Sequence, residues 1–200
     1  MDMHSFLRSR RSVRRFQAKD VDPAILHRIL ESSFYAPSAH NRQPWRFAIL
    51  TTSEPKLRLS NKMAAEFEID LVREGLSVAD INTRTDRSKK RITEAPIVIV
   101  LCMDESEMDK YPDLRRQGAE TIMAIQSAAM AGLQLLLAAH FEGLGGVWTC
   151  GPLFTPEVVK TSLSLPENWT PQALLLLGYP DENPVEKKKK NFRDLVININ

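Results

Sequence analysis

The chain is poor in the residues that most often announce a chemistry. Its 200 residues include only 2 cysteines, 8 glycines and 4 histidines, and 27 Lys and Arg nearly cancel 25 Asp and Glu to leave a net charge of +2. Cys102 and Cys150 can build neither a disulfide framework nor a four-thiolate zinc site. No Cys-x-x-Cys and no His-Glu-x-x-His occurs, and His4, His27, His40 and His140 lack metal-ligand spacing, so no metal site is expected. The balanced charge gives no general case for a nucleic-acid or membrane-surface partner. Unbroken apolar runs are short, such as 97–102 and 174–177, and fall well below the roughly 18–20 residues of a membrane span. The opening MDMHSFLRSRR has no apolar core of the signal-peptide kind. The expectation is a reduced, soluble, cytoplasmic protein with no nucleic-acid and no membrane partner, its length suiting one domain over residues 1–200.

Hydrophobic residues make up 43% of the chain, enough for a sizeable core. Asp22-Pro23 is a helix start, with the acid at the N-cap and proline at the first helical position. Ile25, Leu26, Ile29, Leu30 and Phe34 then follow helical spacing up to Ala36-Pro37. RFAILT at 46–51, IVIVLC at 97–102 and QALLLLG at 172–178 read as strands. Residues 56–76 are expected to be helical, and 77–93 to form a loop or a weak helix because no clear apolar period runs through them. The longest helical pattern covers 117–142, with Gly143 as its C-cap. Its uncharged stretch 121–139 is too rich in Ala, Ser and Gln for a membrane span and suits a buried central helix. Residues 146–149 are a short strand, Thr155-Pro156-Glu157 opens another helix, and Val196 to Ile199 reads as a terminal strand. Roughly five strands and five helices in mixed order imply an α/β or α+β fold. So apolar a central helix calls for cover beyond one chain, which a helix-mediated homodimer would supply.

Four segments could carry chemistry. In Arg8-Ser9-Arg10-Arg11-Ser12-Val13-Arg14-Arg15-Phe16 five arginines lie within eight residues. Planar guanidinium forks suit phosphate oxygens, and a solvated basic segment is an even alternative. The loop Ala36 to Trp45 (APSAHNRQPW) is stiffened by two prolines and carries Ser, His, Asn and Gln, side chains able to hydrogen-bond a planar heterocycle. Read alone, it is more simply a helix-to-strand connection. The stretch GLGGVWTCGP at 143–152 holds four of the eight glycines, which permit close backbone approach to a ligand. It follows a helix and precedes a strand, the reverse of a dinucleotide-binding fingerprint. Cys150 has no base supplied nearby, so no nucleophilic or other catalytic residue is assigned. Lys187 to Lys190 and Arg193 form a basic tail that could meet the N-terminal run over one phosphate, or could simply be solvated.

Taken in order, RRSVRRF, APSAHNRQPWRF, the long apolar helix ending in EGLGG, and LGYPDENPVEKKKKNFRDLV resemble the nitroreductase family of flavoproteins over nearly the whole chain. AAHFEGLGGVWTCGPLF and SLPENWTPQALLLLGYP are similar to the nitroreductase-like C-terminal domain of deazaflavin-cofactor glutamyl ligases. The resemblance implies a mixed sheet flanked by helices and an intimate homodimer with FMN at the interface. It also implies that the C-terminal strand crosses to the partner's sheet. Arg10, Arg11, Ser12 and Arg14 would hold the phosphate and ribityl chain, joined by Lys190 or Arg193. Pro37, Ser38, Ala39 and Asn41 would approach the same flavin from the other subunit. Backbone groups of Trp148, Thr149, Cys150 and Gly151 would face the isoalloxazine ring. Cys-Gly-Pro stands where many members carry a Pro-x-Glu-Gly-like stretch, which leaves the donor to the flavin N5 open. The segment 77–91, rich in Arg84, Arg87, Lys89, Lys90 and Arg91, would cover the flavin; it suits an anionic substrate as well as it suits a solvated face.

The implied activity is hydride transfer from NADH or NADPH through FMN to a small-molecule acceptor, a nitroaromatic, quinone or related conjugated compound, by a ping-pong scheme. The alternatives are a reductase or binder of a deazaflavin cofactor or its precursor, and a flavin-binding module without turnover.

Overall fold

The computed structural model describes residues 2–199. Four strands make one sheet in the order β1-β2-β4-β3: β1 (Trp45–Leu50), β2 (Ile97–Asp104), β3 (Gly145–Thr149) and β4 (Trp169–Gly178). All three pairings are antiparallel. The six helices are α1 (Met3–Ser9), α2 (Pro23–Ser33), α3 (Ser53–Arg73), α4 (Val78–Thr93), α5 (Leu114–Phe141) and α6 (Pro156–Leu163).

Strand alternation sorts the core into two halves. Val98, Val100 and Cys102 of β2, with Leu174 and Leu176 of β4, face Leu59 and Met63 of α3, Ile92 of α4 and Val159 of α6. The intervening Ile97, Ile99, Leu175 and Leu177 face Ile29 of α2 and Leu135, Leu136 and Ala139 of α5. Both sheet faces are therefore covered, which is why β2 is buried along its whole length. Burial also pushes the Cys102 thiol up to about 12, leaving it an inert core residue. Pro171 lacks an N–H, yet lies in the inner strand β4. It sits beyond the reach of β3, at a register shift where Leu101 faces Ala173 and Cys102 faces Pro171, so Gln172 is the extra residue of a bulge.

Asp22 caps α2, its side chain accepting the Ala24 N–H at 2.8 Å, and Gly143 closes α5 with φ +80°. Two expectations change, and one helix is added. Residues 78–93 form a full helix: Ser77 accepts the Asp80 N–H at 3.2 Å and donates to the Asp80 carboxylate at 2.7 Å, a reciprocal cap that starts it. Only Ile81, Thr85 and Ile92 of α4 are buried, too thin an apolar stripe to show as a period. Met3–Ser9 is helical as well, capped by Asp2. Residues 196–199 pair with no strand of the same chain, so the described residues of one chain hold four strands.

Helix α5 is long and apolar enough, by length and composition, to cross a membrane. One side of it is nevertheless packed on the sheet. Its other side leaves Ile122, Ile125 and Leu133 at 55%, 40% and 52% exposure.

Candidate functional site

The N-terminal basic run is held between two parts of the sheet. The Val13 N–H donates to the Gly146 carbonyl at 3.1 Å, and Ser12 bridges Gly146 in parallel, which makes this the one parallel contact of the sheet region among the described residues. On the other side, Gln17 N–H donates to Tyr179 O at 2.9 Å and Asp181 N–H to Arg15 O at 3.0 Å. Gly145 permits the approach, since a Cβ there would lie 2.7 Å from Val13 Cβ. Buried Val13 therefore anchors the run and leaves Arg14 and Arg15 exposed on the surface.

Arg10, Arg11, Ser12, Arg14, Lys187 and Lys189 line a cleft of about 680 Å³. Glu182 also lines it, but its carboxylate accepts the backbone N–H groups of Arg14 and Arg15 and pairs with the Arg15 side chain at 3.4 Å. The Arg14 and Arg15 N–H donors hold the Glu182 carboxyl below its ordinary range. Arg11 pairs with Glu186 at 3.0 Å. Among the described residues, the guanidinium groups of Arg10 and Arg14 have no carboxylate partner. The cleft thus presents uncompensated cations and a hydroxyl, a donor set matched to phosphate oxygens. Lys190 and Arg193, the tail cations named from the resemblance, do not line it; Lys187 and Lys189 do.

Trp148 and Thr149 end β3, and Cys150 leads into a 3-10 turn, Gly151–Leu153. Trp148 Nε1 donates to Cys150 Sγ at 3.2 Å and the Thr149 hydroxyl donates to Leu174 O at 3.3 Å. Amides opening such a turn have no partner within it, so this corner can offer N–H groups to a ligand. Cys150 is exposed. Thr149 and Gly151 line a second pocket, of about 270 Å³, floored by Met63, Ile92, Leu174 and Leu176 and walled by Arg84, Arg87 and Arg91 of α4. Burial lowers the pKa of Arg91, and repulsion from Arg87 and Arg14 lowers it further.

The loop carrying Pro37, Ser38, Ala39 and Asn41 lies elsewhere. Ala39 N–H donates to Ser127 of α5 at 3.2 Å and Gln43 N–H to Ser38 Oγ at 3.1 Å. His40, Asn41 and Gln43 adopt φ of 50°, 54° and 49°, a costly conformation outside glycine. None of these residues lines either basic pocket of the same chain. The loop instead packs on α5 through Ser127, a buried residue of that helix.

Folding also makes a constellation the spacing did not show. Ligand atoms of His40, Asp109 and Glu120 lie within 4.8 Å of one another. Arg42 already pairs with Asp109 at 2.6 Å, and Glu120 accepts the Asp109 N–H at 3.3 Å.

Fold and site together define an α/β protein with a cationic cleft leading to a glycine-bearing strand end. The chain belongs to the nitroreductase family, whose sequence profile matches residues 7–179. It is 30% identical over 197 residues to YfhC of Bacillus subtilis (strain 168), a protein assigned by name to the NAD(P)H nitroreductases; the match covers 96% of this chain and 91% of that one. Among solved structures it resembles a BluB-like flavoprotein from Clostridium difficile 630, with TM-score 0.82 and 18% identity over the whole of both chains. It also resembles the NADPH:FMN oxidoreductase of Vibrio harveyi complexed with NAD+, with TM-score 0.73 and 21% identity over 98% of this chain and 76% of the other. At these identities the two structures speak for the fold. Membership of this family makes the chain an oxidoreductase of the nitroreductase type.

Proposed function

We propose that residues 1–200 act as one FMN-binding unit that moves reducing equivalents from NADH or NADPH to a nitroaromatic, quinone or related conjugated acceptor. The observation that carries the reading is the meeting of the N-terminal arginines and the C-terminal lysines in one cleft beside β3. Its donor set fits the phosphate of FMN: Arg10 and Arg14 lack carboxylate partners, Ser12 adds a hydroxyl, and Lys187 and Lys189 close the far side. Arg11, tied to Glu186, shapes the cleft more than it binds.

FMN, when bound, supplies two-electron chemistry that accepts hydride from a nicotinamide and passes it to an acceptor, giving ping-pong turnover. The chain's own groups position and polarise. The strand end Trp148 to Gly151 offers backbone donors to the ring. Positive charge from Arg91, which lines the pocket beside Thr149 and Gly151, favours negative charge developing on the ring there. The apolar floor of Met63, Leu174 and Leu176 offers the second pocket a nonpolar surface for a conjugated ring. No side chain is assigned as general acid or base.

The outward face of α5, with Ile122, Ile125 and Leu133, supports a homodimer. In that assembly Pro37, Ser38, Ala39 and Asn41 reach the partner's cofactor, and residues 196–199 find the strand partner they lack in one chain. The test is the visible spectrum of the purified protein, followed by anaerobic titration with NADH and with NADPH. A yellow protein bleached by one of them is expected. A protein that stays colourless after soaking in excess FMN overturns the reading, and a yellow one with no turnover is a binding module only.

A further inference from the structure

Helix α4 sets Arg84, Arg87 and Arg91 at i, i+3 and i+7, so all three lie on one stripe, and all three line the pocket that also holds Thr149 and Gly151. No acid of α3 or α4 pairs with them among the described residues. Asp86 pairs with Lys89 at 3.6 Å, Asp80 receives the Ser77 hydroxyl, and Asp70 of the facing α3 lies 3.5 Å from Arg73. Glu66 and Glu68 of α3 form no ion pair with the three arginines among the described residues. Three like charges therefore line one small pocket with an apolar floor, an arrangement that favours an anion there.

We infer that Arg84 and Arg87 form an anion-reading site that selects acceptors bearing a carboxylate or phosphate group. The inference rests on the proposed function for the location of the reacting ring, with Arg91 serving that ring and the outer two arginines serving the substrate. Arg84 and Arg87 are exposed while Arg91 is half-buried, so the outer pair meets an incoming molecule first. A guanidinium fork holds a carboxylate through two parallel hydrogen bonds. It would orient the acceptor with its charge toward α4 and its conjugated part over the strand end. A neutral analogue would leave that fork unpaired, which is the basis of discrimination.

The test compares 4-nitrobenzoate with 4-nitrobenzamide, which share the nitro ring and differ in charge. With the FMN-loaded enzyme, the double variant R84Q/R87Q is expected to lower the benzoate-to-benzamide ratio of kcat/KM by about tenfold or more, the loss expected for a charge-assisted contact. The NADPH-to-NADH ratio with the benzamide should stay the same. An unchanged acceptor ratio overturns the inference. So does a fall confined to the nicotinamide ratio, which would assign the arginines to the 2′-phosphate of NADPH. Calorimetric titration with 4-nitrobenzoate provides a readout without turnover: the unaltered protein should bind it at least about tenfold more tightly than the double variant does. Equal affinities refute the site even in a protein that carries no flavin, whereas a lost flavin with the binding difference intact refutes only the proposed function.

Discussion

Helix α5 carries two glycines in very different surroundings, and an identical substitution at each isolates what holds Trp148 in place. At Gly118 an added Cβ meets nothing within 4 Å; at Gly132 it lies 2.4 Å from Trp148 Cζ3 and 2.8 Å from Leu101 Cδ2. Ordinary carbon contacts are about 3.5–4.0 Å, so the second methyl overlaps a ring and a fully buried core leucine by roughly an ångström each. Replacing glycine by alanine in a helix interior is worth about 0.8–1 kcal/mol, and that gain applies at both sites. Overpacking subtracts about 1–3 kcal/mol at Gly132 alone. Gly118→Ala is therefore expected to stabilise, and Gly132→Ala to fall about 1–3 kcal/mol below it in urea denaturation followed by tryptophan fluorescence. Because Trp148 also donates to Cys150 Sγ, the Gly132 variant should retain less FMN as well. Stabilities of the two variants equal within about 0.5 kcal/mol, the usual spread for neutral changes, would refute the close-packing argument.

Arg10→Ala combined with Arg14→Ala should weaken FMN retention by at least about tenfold, measured as flavin released on dialysis; unchanged retention would remove the phosphate role of the cleft. The homodimer predicts a light-scattering mass of twice the 22.7 kDa of one chain, and a monomer at micromolar concentration would contradict it. Asp104 is buried, which raises its pKa, but bonds from Ser106 at 2.5 and 2.9 Å, Arg46 at 3.0 Å and Asn168 at 3.0 Å outweigh burial and leave the carboxyl below its ordinary value. A depressed folded pKa stabilises fully above the unfolded value and loses that contribution as pH falls through the folded one. Asp104→Asn should therefore flatten the acid side of the stability curve, below about pH 4, in urea midpoints taken across pH. An unchanged slope would show that Asp104 is not among the groups driving acid unfolding.

Most elements were legible where local chemistry and burial point the same way. Asp22-Pro23 started α2, Gly143 ended α5, and the apolar run after Pro96 made β2, because caps and continuous apolar strands leave marks in the sequence itself. Helix α4 was legible only as a loop or a weak helix: its start is a Ser77–Asp80 cap within a charged stretch, and only three of its residues are buried. The terminal segment 196–199 has strand-like residues but no partner in its own chain, since pattern encodes strand propensity and not the presence of a neighbour.

The sequence alone determined the pieces of the site: the arginine run, the glycine-bearing strand end, the lysine tail and the proline-stiffened loop are each set by local composition. Only the tertiary structure decided which of them meet. Val13 buried against Gly145 and Gly146 brings the arginines to β3, Lys187 and Lys189 rather than Lys190 or Arg193 reach the cleft, and Arg84, Arg87 and Arg91 turn toward Thr149 and Gly151. Those encounters depend on contacts between residues far apart in the chain, which arise from packing two helical layers on one sheet and are not encoded in any single stretch.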